Sequence, residues 1–207
     1  MERAPQTRQS LLLELTRHSD EAWVEFVEVY EGAILGFCRA LGLQDADARD
    51  ATQEVLAAVH GRIGTWELGA ERGSFRAWLF RVARNVSVDV IADRRRRAAD
   101  GGARGELVLR ELSDVGADAA ETFDIELETA LFRWAAARVR SEVRESTWHA
   151  FERTAVQGRS AEDVARELGT TVGSIYTAKC RVIARIKDRV EGLSGVPEHG
   201  HEPEDRR

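Results

Sequence analysis

Proline is nearly absent from the body of this 207-residue chain: its three prolines are Pro5, Pro197 and Pro203. Proline removes a backbone donor and clashes with the preceding turn, so the long run between Pro5 and Pro197 favours helix. Cysteine is scarce as well. Cys38 and Cys180 stand far apart in the sequence, which excludes a four-cysteine zinc site and makes a disulfide framework a poor expectation. A reduced, cytoplasmic setting is expected instead. No stretch approaches the ~18 apolar residues of a membrane span, so no membrane insertion is expected. Leu11 to Leu13 is too short to form the apolar centre of a signal peptide. The five histidines, His18, His60, His149, His199 and His201, show no metal-ligand spacing. No phosphate-binding loop or nucleophile elbow is present, and neither a cofactor, a metal nor an enzymatic activity is expected.

What is abundant is charge, and its placement matters more than its sum. The net charge of −6 would by itself argue against nucleic acid. Yet residues 76–97 carry seven arginines against Asp89 and Asp93, and residues 171–190 carry five lysines and arginines against Asp188. Residues 111–128 hold seven acids and no base. Two basic segments in an acidic frame form a steering pattern for a polyanion.

Glycines at 101, 102, 105 and 116, with the start of that acidic run, mark a break from about Ala98 to Thr122. It reads as a flexible, self-repelling linker with slight helical character at Leu107 to Leu112. The expected fold is all-α, with two small helical domains joined by an acidic linker. The expected divisions are a first domain at 1–98, a linker at 99–123, a second domain at 124–191 and a disordered tail at 192–207.

In the first domain Ser19 is placed to cap a helix bearing Trp23, Phe26, Val27, Tyr30, Ile34, Phe37 and Leu41, with Gly42 as its stop. Asp45 is expected to cap the next helix. There Ala48, Ala51, Thr52, Val55 and Val59 form the buried stripe, and Asp47, Asp50 and Glu54 share the opposite face. Gly61 to Gly73 reads as a loop carrying Trp66, an aromatic expected to be exposed. Ser74 opens a long helix with Phe75, Trp78, Leu79, Val82, Val86 and Val90 inward and Arg81, Arg84 and Arg95 outward. The second domain is expected to begin with helices from about Asp124 to Arg140 and Glu145 to Gln157, the latter burying Trp148, Phe151 and Ala155.

Its last two helices are the informative ones. Ser160-Ala161-Glu162-Asp163 has the form of a capping box, and Gly169 closes the short helix after it. Val164, Leu168, Ile175 and Ala178 face inward, with small Ala165 at the helix crossing. That spacing is the one a helix-turn-helix requires, where the second helix enters the major groove. Ser174, Tyr176, Thr177 and Arg181 point outward, with Thr171 and Gly173 at the helix N-terminus, where backbone N–H groups can meet a phosphate. A plain helical hairpin would share the apolar positions. Arg94, Arg95, Arg96 and Arg97 read equally as phosphate contacts or as a solvated helix end that complements the helix dipole.

The order of motifs then points to a family. Asp47-x-x-Asp50-x-x-Gln53-Glu54-Val55 is followed by Gly73-Ser74-Phe75-Arg76-Ala77-Trp78-Leu79-Phe80-Arg81-Val82-Ala83-Arg84-Asn85, the arginine cluster, a linker, and a helix-turn-helix ending in Ser174-Ile175-Tyr176. This closely resembles the extracytoplasmic-function sigma factors, the two-domain sigma subunits of bacterial RNA polymerase, over about residues 19 to 190. The resemblance implies that Asp47, Asp50, Gln53 and Glu54 contact the clamp helices of the polymerase largest subunit. It implies −10 element contacts by Trp66, Arg76, Arg81, Arg84, Asn85 and Arg94 to Arg97, with one non-template base flipped out of the stack. It places −35 contacts on Thr171, Gly173, Ser174, Tyr176, Thr177, Lys179 and Arg181, and a polymerase flap contact on the C-terminal domain. The implied partners are core RNA polymerase and promoter DNA, and an anti-sigma factor or other regulator is a further class of partner. Two departures stand out. Val86-Ser87-Val88-Asp89-Val90-Ile91 precedes the basic cluster, and Tyr176 and Thr177 stand where many relatives carry a basic residue.

The competing reading is a helix-turn-helix regulator that does not bind core polymerase. The acidic face on Asp47, Asp50 and Glu54 and the string from Phe75 to Asn85 favour the sigma reading, because a stand-alone regulator needs neither.

Overall fold

The structure, a computed structural model, describes residues 9–66, 74–98 and 116–194, and every regular element among them is helical. The expected tail and most of the expected linker, including Leu107 to Leu112, lie outside the described residues.

The first unit is built from α1 (Gln9–Thr16), α2 (Asp20–Ala40), α3 (Asp45–Ile63) and α4 (Phe75–Ala98). Helix α1 is an element that the motif reading passes over; it buries Leu11, Leu12 and Leu15 on one side. Helix α2 starts where Ser19 predicts, with the Ser19 hydroxyl accepting from the Ala22 N–H at 3.3 Å. It stops in a Schellman motif: Gly42 sits at φ +88°, its N–H donates to the Arg39 carbonyl at 2.8 Å, and the Leu43 N–H donates to the Cys38 carbonyl at 3.3 Å. Only glycine takes that φ without strain, which is why the helix ends there.

Helix α3 departs from expectation at its start. Gln44 occupies the cap position and gives no side-chain cap, while the Asp45 carboxylate accepts from the Arg39 Nε at 2.8 Å. The Arg39 guanidinium, with a smaller effect from Arg49, holds the Asp45 carboxyl below the usual aspartate range. The buried stripe on α3 is as expected, with Ala48, Ala51, Thr52, Val55 and Val59 all inside. The helix runs on to Ile63, so residues 61–63 are helical rather than part of the loop. Ser74 caps α4 through its hydroxyl, which accepts from the Ala77 N–H at 3.2 Å.

The core of this unit is aromatic. Phe26 packs against Tyr30 and Phe75, and Phe37 packs edge-on against Phe80 and Phe123. Each fully buried phenylalanine contributes about 1.5–3 kcal/mol of transfer free energy. Trp23, Val27, Leu41 and Trp78 are half-buried at the margin of the core. One polar contact lies within it: Cys38 and Ser87 meet at 3.3 Å, and burial pushes the Cys38 thiol up.

Phe123 belongs to the next helix, and here the largest correction falls. Helix α5 spans Gly116–Glu142, beginning well before Asp124 and inside the segment expected as linker. Ala119, Phe123, Leu127, Ala130 and Leu131 are buried in the core of the first unit. The i, i+4 spacing of those residues makes an apolar stripe that outweighs the acids around it. Farther along, Ala135 and Val139 enter the core of the second unit. One helix therefore serves both units.

The second unit continues with α6 (Glu145–Phe151), a π-helical turn at Glu152–Val156, α7 (Ala161–Glu167) and α8 (Val172–Ser194). The π turn explains why Ala155 is exposed although helical phase places it inside. Its i→i+5 bonding inserts an extra residue per turn and rotates the later residues out of phase. The cores here are small: Ala135, Val139, Trp148, Phe151, Val182 and Ile186 in one cluster, Ala150, Ala161, Val164, Ala165 and Ile175 in the other. At its far end α8 returns Leu193 to the core of the first unit.

Candidate functional site

Three surfaces carry the residues singled out by sequence. The first is the outer face of α3. Asp50, Gln53 and Glu54 are exposed there, while Asp47 is half-buried at the edge of the face. The stripe of alanine and valine opposite them anchors the helix, so this face is presented on a rigid support.

The second surface is the outer side of α4. Arg81 and Asn85 are exposed and Arg84 is half-buried. The side chains of Arg94 to Arg97 lie outside the described residues. Two residues differ from expectation. Trp66 is half-buried, with its ring edge-on to Phe75 at 5.5 Å between centroids, so it closes the end of the aromatic core instead of standing free. Its bulk makes packing on a neighbouring aromatic more favourable than solvation, even from a glycine-flanked loop. Arg76 is drawn inward: its Nε donates to the Asp124 Oδ1 at 2.6 Å, and its side chain is 13% exposed. Sequence reasoning had no signal for this pair, since the partners are 48 residues apart and Asp124 was read as a helix start.

The third surface surrounds the start of α8. The Ser160 hydroxyl accepts from the Asp163 N–H at 3.1 Å and donates to the Asp163 carboxylate at 2.8 Å, which fixes the start of α7. The Ser160 hydroxyl, then the Arg166 guanidinium, holds the Asp163 carboxyl below its usual range. Gly169, at φ +63°, turns the chain, and the Thr170 N–H closes back on the Ala165 carbonyl at 2.9 Å. The Thr171 hydroxyl then accepts from the Ser174 N–H at 3.2 Å and opens α8. Glu167 pairs with both Arg153 at 2.9 Å and Arg159 at 2.8 Å, tying α7 to the π turn behind it.

The result is a helix N-terminus flanked by two grooves. One, of about 730 Å³, is lined by Thr147, Thr171, Ser174, Thr177 and Arg181 among others. The other, of about 230 Å³, is lined by Arg159, Ser160, Tyr176 and Lys179 with their neighbours. The expected contact residues thus divide between the two sides of one helix: Thr171, Gly173, Ser174, Thr177 and Arg181 on the first, Tyr176 and Lys179 on the second. Tyr176 is 55% exposed. The Thr177 hydroxyl donates to the Gly173 carbonyl at 3.0 Å, which leaves its oxygen able to accept a further hydrogen bond.

Chemically, these surfaces offer an acidic face, a guanidinium and amide row, and a hydroxyl-rich helix N-terminus with cations beside it. Among the described residues no group of three or more histidine, cysteine or acidic side chains could hold a metal ion. No helix among them is long and apolar enough to cross a membrane.

Residues 26–97, which include the acidic face and the α4 row, match the family model of sigma-70 region 2. No curated protein matches the chain. Among solved structures it is similar to one described as "Structure of CnrH in complex with the cytosolic domain of CnrY", at 20% identity, covering 88% of this chain and 96% of that one, with a TM-score of 0.36.

Proposed function

We propose that this protein is a sigma factor of the extracytoplasmic-function class: it joins core RNA polymerase, reads the −35 and −10 elements of a promoter and promotes strand opening. The observation that carries the reading is the region 2 match over residues 26–97. In this reading Asp47, Asp50, Gln53 and Glu54 meet the clamp helices of the polymerase largest subunit. Their charge suits a basic or amide-rich partner, and the rigid stripe beneath them lowers the ordering cost of docking. Arg76, Arg81, Arg84 and Asn85, with Arg94 to Arg97, hold the opened −10 strand. Guanidinium groups bind its phosphates, and the Asn85 amide offers both donor and acceptor to a flipped base. Trp66 contributes by supporting the loop after α3.

The C-terminal unit reads as a helix-turn-helix whose α8 enters the major groove at the −35 element. Thr171, Gly173 and Ser174 meet phosphate at the helix N-terminus, while Tyr176, Thr177, Lys179 and Arg181 reach toward base edges and the flanking backbone. The proposed division of the chain assigns residues 1–98 to polymerase and −10 contacts and 124–191 to −35 and flap contacts.

Run-off transcription with core polymerase on a random-promoter pool tests the reading, with pull-down of core polymerase beside it. Core binding and a recovered promoter with two spaced elements are expected. Duplex binding with no retention of core polymerase would identify a stand-alone regulator instead.

A further inference from the structure

One side of α5 is turned away from both cores, and it is not a plain solvated face. Ile125 is 56% exposed and Phe132 is 46% exposed, so two large apolar side chains stand in water there. With Thr122, Thr129 and Ala136 they recur at alternating spacings of three and four, which places all five on one strip of the helix. That is the a/d pattern of a coiled-coil seam, with β-branched Thr122 and Thr129 at a and with Ile125 and Phe132 at d. The Thr122 hydroxyl donates to the Asp118 carbonyl at 2.8 Å within the helix, so it brings no unpaired donor to such a seam.

The flanks of the strip decide what covers it. Glu121 and Glu128 stand on one flank, at g positions, and Glu126 and Arg133 on the other, at e positions. Glu121, Glu128 and Arg133 are exposed, and no ion pair engages them among the described residues. Glu126 is turned away: its carboxylate lies against Gly36 of α2, where an added Cβ would collide with it. In a parallel helix pair, a g residue of one helix faces the e residue five positions on in the other. Glu128 of each copy would then meet Arg133 of the second copy, twice by symmetry. An antiparallel pair sets g against g and would bring carboxylates together. The strip is therefore complementary to itself in one orientation.

We propose that this strip is a self-association surface. Two copies of the chain pair in parallel through α5, with Ile125 and Phe132 covered at the seam and Glu128 of each bound to Arg133 of the other. Two heptads bury less than a standard interface, so the dimer is weak, with a dissociation constant on the order of 10–100 µM. No side chain of the strip is used in the sigma reading, so the two stand or fall separately.

Sedimentation equilibrium of the full chain over about a hundredfold range of concentration tests it, because a dimer of this kind shifts with mass action. A monomer–dimer equilibrium is expected; a monomer throughout overturns the proposal, as does a dimer that persists in Phe132→Glu. Charge exchange tests the pairing. Glu128→Arg and Arg133→Glu should each weaken the dimer about fivefold, since each turns two attractive contacts repulsive. The double variant should return to the original constant, and its failure to recover overturns the proposal. Orientation is read by cross-linking in chains that also carry Cys180→Ser, which removes the exposed thiol. Ala136→Cys alone should give a disulfide-linked dimer on oxidation, because a parallel seam sets position 136 against itself. Cross-linking only in a mixture of Thr122→Cys and Ala136→Cys chains would show an antiparallel pair and overturn the assignment.

Discussion

The two units of this protein are stabilised by different means. The first buries large aromatic side chains: Phe26, Phe37 and Phe123 are fully enclosed, and Phe75 and Phe80 complete the cluster. The second relies on alanine, valine and isoleucine in two small clusters, with Trp148 and Phe151 as its buried aromatics. Where burial is thin, capping and ion pairs do more: Ser160 and Asp163 start α7, Thr171 starts α8, and Glu167 bridges Arg153 and Arg159. The difference suits the proposed roles. A platform for polymerase docking and strand holding must be rigid, whereas a unit that fits a helix into a groove gains from exposed backbone ends and hydroxyls. Polar stabilisation keeps those groups at the surface; a larger core would have covered them.

The sharpest way to break this contrast is to remove bulk from the first core. Phe37→Ala leaves a void against both Phe80 and Phe123, and should cost about 3–5 kcal/mol in chemical denaturation of the full chain. A cost below about 1 kcal/mol would mean that the aromatic cluster is not what holds the unit together.

The next test separates surface function from core stability. Asp50→Arg with Glu54→Arg reverses charge on exposed positions, so the melting curve should stay nearly unchanged while affinity for core polymerase falls about tenfold. Equal affinity in the folded variant would remove this face from the proposed interface.

In the second unit the expected effects are smaller and polar. Ser160→Ala deletes the hydroxyl that accepts from the Asp163 N–H, and should cost about 1 kcal/mol. The loss should appear as faster amide exchange in residues 161–167, with the first unit unaffected. Faster exchange across α2 and α3 instead would show that the two units unfold as one.

The smallest effect is a pH dependence. Asp163 is held below its ordinary value of 3.8, first by Ser160 and then by Arg166. A depressed carboxylate contributes stability above its unfolded value, and that contribution is lost as pH falls through the folded value. Amide protection in α7, corrected for intrinsic exchange, should therefore drop in that acid range. Asp163→Asn should flatten the dependence; an unchanged profile would assign it to another group.

How far the sequence could be read depended on the range of the forces involved. Signals acting within one or two turns were legible: Ser19, Ser74 and Ser160 as caps, Gly42 and Gly169 as stops, and the alanine and valine stripe of α3. Local chemistry misled where a second local option competed. Asp45 looked like a cap, but the neighbouring Arg39 takes its carboxylate. Ala155 followed helical phase until the π turn shifted it. For the candidate sites, the acidic face of α3 and the outward residues of α8 were legible because helical periodicity alone separates them from the core. Trp66 and Arg76 were not, because their partners, Phe75 and Asp124, come from other elements.

By itself, then, the sequence determined the helical class, the ends of most helices, the two basic segments and the likeness of residues 26–97 to sigma-70 region 2. Each rests on backbone chemistry or residue spacing within a short stretch. Only the tertiary structure decided that the acidic segment from residue 116 folds onto α2, that Phe123 completes a core begun by Phe26 and Phe37, and that Arg76 is held by Asp124. Those outcomes depend on which apolar stripe finds which face. Acids without a base read locally as repulsion, yet the helix that carries five of them has Ala119, Phe123, Leu127 and Leu131 on one side with a core to fill.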